Sequence, residues 1–139
     1  MNDLEWKLYT KGLENLYGSV LLGEESALNC IENMVYLTRE IQISAGSRHP
    51  LKKEVIFIRK FCQVCWPDMH VEIRMEGNIS GMQITQKQLS GAVCGSLMKV
   101  EQHGQIPCLV VLWQEAGQVC YRLEEDGRIW AQGEVSLDE

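Results

Sequence analysis

The side chains that could do chemistry in this 139-residue chain are six cysteines, three histidines and one short run of acids. Cys62 and Cys65 form a C-x-x-C pair, the spacing of redox dithiols and of half a zinc site. Redox pairs sit at a helix N-terminus, where the dipole favours a thiolate. These two close an amphipathic segment at its C-terminal end, where that effect is reversed. Zinc needs two more ligands, and His49, His70 and Cys94 stand at no diagnostic spacing from the pair. The pair therefore reads as core packing. His49 precedes a proline, His70 alternates outward in a strand-like run, and His103 lies in the loop sequence EQHGQ, so all three read as solvated. "LEEDG" (123–127) reads as a charged turn, and the four tryptophans are too dispersed to form a cage. These residues predict no catalytic group, no metal site and no cofactor.

The elements that would position them follow from periodicity. Trp6, Tyr9, Leu13, Leu16 and Val20 recur at three-four-three-four spacing, which predicts a helix over residues 4–21 with one apolar seam. Gly12 and Gly18 weaken it by about 1 kcal/mol each relative to alanine, and Gly23 ends it. A second helix opens with acids in its first turn and carries Ala27, Ile31, Met34, Thr38 and Ile41 on one stripe. Two such helices form an antiparallel hairpin that cannot bury both seams by itself. A homodimer is expected, with Trp6, Tyr9, Leu13, Leu16, Val20, Ile31 and Met34 at the interface.

"SAGSRHP" (44–50) reads as a linker. A third helix begins at Leu51 and stops before Pro67. "MHVEIRM" (69–75) alternates as a half-buried strand. Thr85 and Gln88 match a capping box opening a helix over 86–99, whose Gly91, Ala92, Cys94, Gly95 and Ser96 make a small-residue face suited to close packing. Three strands follow, over 107–114, 118–124 and 128–132, with turns at Gly117 and Asp126-Gly127. The fold class is α+β: a helical hairpin (1–45) followed by a two-layer α/β sandwich (46–139).

Composition limits the partners. The net charge is −6 and the 13 basic residues are scattered, which argues against nucleic acid. No apolar run is long enough to span a bilayer, so no membrane insertion is expected. The N-terminus is unlike a signal peptide, and six cysteines in such a chain suit reduced thiols in a cytoplasm.

In order and spacing, these segments resemble the cytoplasmic part of LytS/YesM-type sensor histidine kinases. "LTREI" (37–41) is similar to the end of that family's second dimerisation helix. "PLKKEVIFIRKFCQV" (50–64) resembles the helix that follows, "ITQKQLSGAVCGSLMKV" (84–100) the nucleotide-binding helix, and "QVCYRLEEDGRI" (118–129) the strand leading to the D-N-G-x-G motif. The resemblance implies a dimerisation hairpin and a truncated ATPase-like domain whose working residues are gone. Lys7 falls where the phosphorylated histidine would stand, and a protonated ammonium is no nucleophile. Cys94 and Gly95 replace the Glu-Asn pair that positions water and Mg²⁺, which requires oxygen ligands. Glu125, Asp126 and Gly127 remain at the adenine-reading turn, without a glycine-rich phosphate loop after it. The implied function is a non-catalytic, histidine-kinase-like protein that acts through protein–protein contact in bacterial signalling, its partners being itself and a response-regulator receiver or a histidine kinase. The alternatives are a phosphorelay phosphotransferase, which lacks an acceptor histidine in residues 1–45, and a small-ligand-binding regulatory domain.

Overall fold

A helix of twenty residues, α1 (Asp3–Leu22), turns at Gly23 into α2 (Glu24–Gln42) in the computed structural model, which describes residues 3–42, 47–104 and 107–137. Gly23 has φ +140°, a conformation side chains rarely adopt, and its N–H still donates to Ser19 O at 3.0 Å. The chain continues as β1 (Arg48–Pro50), α3 (Leu51–Cys65), β2 (Glu72–Met75), β3 (Gln83–Thr85), α4 (Gln88–Glu101), β4 (Leu109–Glu115), β5 (Gln118–Glu125) and β6 (Arg128–Ser136). The fold is α+β, a pair of N-terminal helices followed by a mixed sheet with helices. Residues 48–50 of the expected linker are a strand, antiparallel to β3; residues 43–46 lie outside the described part.

The main sheet has the order β2-β4-β5-β6, with β2 parallel to β4 and the other neighbours antiparallel. Two tight hairpins set its register. Ala116-Gly117 and Asp126-Gly127 both carry positive φ at the two central positions, the geometry whose twist matches that of paired strands. Trp130 is an extra residue in β6, since Leu123 faces Ala131 while Glu124 faces Ile129, and this bulge interrupts the outer edge of the sheet.

Strand alternation divides the sheet into two faces. Val110, Leu112, Val119, Tyr121, Leu123 and Val135 point toward the helices and join one core with Ile58, Phe61, Leu89, Val93 and Leu97. Leu8 of α1 and Leu37 of α2 are fully buried in the same core, so the hairpin is docked on α3. Burial of each such side chain contributes roughly 1.5–3 kcal/mol.

The start of α4 departs from the sequence reading. Thr85 belongs to β3 and caps nothing; Lys87, at φ +69°, precedes the helix without a side-chain cap of its own. The cap comes from another helix. Glu54 of α3, 2% exposed, accepts the Ser90 N–H on Oε1 at 2.9 Å and the Lys87 N–H on Oε2 at 3.3 Å. His49 Nε2 completes the set at 2.8 Å from Oε2. A buried carboxyl group is tolerable because three donors surround it, and open helix N–H groups need such acceptors. At the head of α3, Leu51 and Lys52 N–H groups find Met82 O and Ser80 O at 2.7 and 3.0 Å.

Removing the Glu54 carboxyl leaves the buried Ser90 N–H and two part-buried donors, the Lys87 N–H and His49, without their acceptor. Glu54→Ala is expected to cost about 2–4 kcal/mol, while Thr85→Ala changes stability by less than about 0.5 kcal/mol. Urea unfolding of both variants checks this: the reverse ranking would return the cap to Thr85.

Candidate functional site

Two surfaces compete for functional meaning: the small-residue face of α4 and the outer face of the hairpin. On α4, Ser90, Cys94 and Leu97 are buried in the core. The thiols of Cys62 and Cys65 are pushed up to about 12, chiefly by burial, and burial also raises Cys94 well above its ordinary value. All three are therefore inert thiols at neutral pH, in line with the core-packing reading of the C-x-x-C pair. Among the described residues no group of three His, Cys, Asp or Glu side chains is arranged to hold a metal ion.

Gly91 and Gly95 do not have the close packing expected of them. A Cβ built on either meets nothing within 4 Å. The reason is rotational: Cys94 faces α3 and Ser96 faces the sheet, its hydroxyl 2.9 Å from the Tyr121 hydroxyl, which turns Gly95 outward. The close approach occurs elsewhere. A Cβ at Gly133 of β6 would lie 2.6 Å from the Tyr121 hydroxyl, so this glycine makes room for a side chain. Glu125 ends β5, and Asp126-Gly127 form the two-residue turn into β6. A cleft of about 610 Å³ opens between the hairpin and the C-terminal end of α3, lined in part by Asn15, Asn29, Asn33 and Gln63; neither Cys94, Gly95 nor the 125–127 turn borders it.

Lys7 has a defined structural role. Its ammonium pairs with Glu101 at the C-terminal end of α4, and the Trp66 indole N–H donates to the other oxygen of the same carboxylate. The ammonium also lies 5.7 Å from the centre of the Trp66 ring. Burial alone would raise the Glu101 pKa; the hydrogen bonds from Lys7 and Trp66 outweigh it and hold the group below the usual carboxylate range. Sequence reasoning missed this cluster because its members are separated by up to 94 positions.

The outer face of the hairpin keeps the predicted seam in solvent. Trp6, Leu13 and Val20 are 64%, 63% and 61% exposed, and Ile31 is 42% exposed. Trp6, Leu13 and Val20 stand seven apart on α1, so they form one ridge, and Ile31, Tyr17, Leu28 and Val35 extend it. Tyr9 and Met34 are partly withdrawn, packing against the core of their own chain. Met34 fills the space a side chain at Gly12 would take: a Cβ there would sit 2.6 Å from its terminal methyl. This contact draws α1 against α2. Between them runs an apolar groove of about 420 Å³, lined by Leu16, Ile31, Met34, Val35, Thr38 and Arg39. No helix of the described residues is long and apolar enough to cross a membrane.

Compared with known proteins, the chain matches no family model and no curated sequence.

Because Gly95 faces open space in the middle of a helix, Gly95→Ala is expected to stabilise the protein by about 0.5–1 kcal/mol. Thermal or urea unfolding measures it. A loss of stability would mean that another surface packs on this face of α4.

Proposed function

We propose that this protein is a non-catalytic, histidine-kinase-like interaction module that pairs with a second copy through its α1–α2 hairpin. The observation that carries the reading is the distribution of exposed apolar side chains. Of the eleven large ones exposed among the described residues, nine lie on the hairpin: Trp6, Leu13, Tyr17, Val20, Leu21, Leu22, Leu28, Ile31 and Val35. Isolated exposed apolar residues need no explanation, but a contiguous ridge beside an apolar groove marks an interface. Two hairpins related by a two-fold axis would form a four-helix bundle, each ridge lying in the other's groove.

The fate of the positions implied by the resemblance supports the absence of catalysis. Lys7, at the site of the phosphorylated histidine, is turned inward and held by Glu101. Cys94 is sealed in the core, and Gly95 offers no side-chain oxygen for Mg²⁺. A phosphotransferase would need an acceptor histidine on the hairpin, and residues 1–45 contain none. In this reading the protein works in the cytoplasm of a bacterium. The partner of the paired hairpins is a response-regulator receiver or a histidine kinase of a two-component or related pathway, and neither nucleotide nor metal is required.

Sedimentation equilibrium tests the pairing. The wild-type protein is expected to be a dimer at micromolar concentration. Leu13→Asp is expected to be a folded monomer, because an unpaired charge in the bundle core costs several kcal/mol. A wild-type monomer, or a Leu13→Asp dimer of unchanged affinity, would contradict the proposal.

A further inference from the structure

The face of the main sheet turned away from the helices carries side chains that the hairpin reading leaves unused. No described element covers it, and its central row is unusual. Trp113 of β4, Cys120 of β5 and Glu134 of β6 stand side by side in register. The middle residue is the short one, so the row forms a notch with an indole on one side and a carboxylate on the other. Glu115, two residues along β4, and Gln132, two residues along β6, close its ends, and the enclosed volume is about 390 Å³.

We propose that this notch receives the cationic end of a lysine or arginine side chain carried by a partner protein. An ammonium or guanidinium between an indole face and two carboxylates gains from the ring quadrupole and from both charges. The Trp113 ring already attracts such a group: the Arg122 guanidinium lies 5.1 Å from its centre. That cation is paired with Glu124 at 2.8 Å, so its charge does not satisfy the notch. Glu115 accepts only the indole N–H of Trp113, at 3.1 Å, and among the described residues neither Glu115 nor Glu134 has a cationic partner.

The floor points the same way. Cys120 is 7% exposed, lines the notch and makes neither a disulfide nor a hydrogen bond among the described residues. Burial raises its pKa, and Glu115 and Glu134 raise it further, so both carboxylates act on the same sulfur. The floor is thus a neutral, polarisable thiol beneath two negative groups. The net charge of −6 further favours encounter with a basic segment.

Titration with tetralysine, followed by the Trp113 indole N–H resonance, tests the proposal. A saturable shift of that resonance is expected, absent with tetralysine acetylated on every side-chain amine. Glu134→Gln should weaken binding up to about fivefold, and the Glu115→Gln/Glu134→Gln pair should abolish saturation. Glu72→Gln, on the same sheet face outside the notch, should leave the titration unchanged. No shift at Trp113, or equal losses in Glu72→Gln and Glu134→Gln, would overturn the proposal.

Discussion

A hairpin of two amphipathic helices has two faces, and the α/β unit beside it can cover only one. That constraint organises the molecule. The covered face is narrow: Leu8 and Leu37 are its fully buried side chains, and Gly12 lets Met34 bring the two helices together. Polar ties then fix the hairpin on the sheet-bearing unit. Lys7 reaches Glu101 at the far end of α4, and Lys87 donates to the Ile41 carbonyl near the end of α2. With one face committed in this way, the ridge of Trp6, Leu13 and Val20 has no partner among the described residues.

The same ties give structural roles to the positions that the resemblance singles out. Where the resemblance implies a phosphorylated histidine, a lysine now anchors α1. The nucleotide-binding helix of the resemblance is here capped by Glu54 from α3, which joins α3, α4 and His49 of β1 in one hydrogen-bonded cluster. A carboxyl group buried at the head of α4 serves the fold, and every oxygen lone pair it spends on a protein donor is withdrawn from a cation. Helix α4 is thus part of the scaffold.

All elements but β1 and β3 were legible in the sequence because their signals are local. The seam at 6, 13 and 20, the Asp126-Gly127 turn, the stop before Pro67 and the alternation of Ile73 and Met75 against Glu72 and Arg74 each depend on a few neighbouring residues. What sequence reasoning missed is non-local. Glu54 in the first turn of a helix reads as a solvated acid that favours the dipole; only the docking of α4 turns it into a buried cap. Thr85 and Gln88 matched a capping box whose threonine the β1–β3 pair had already claimed for a strand. Gly91 and Gly95 were misread for a similar reason: which side of a helix is covered depends on how Cys94 and Ser96 orient it. The notch on the sheet needed register, since Trp113, Cys120 and Glu134 come from three strands.

The central claim is that the uncovered ridge of the hairpin meets its own copy. Isotope-filtered nuclear Overhauser spectra of an equimolar mixture of labelled and unlabelled protein test it at the level of methyl groups. The account predicts intermolecular contacts among the methyls of Leu13, Leu16, Val20, Ile31 and Val35. Intermolecular contacts confined to other surfaces, or none in a sample whose hairpin is folded, would contradict it.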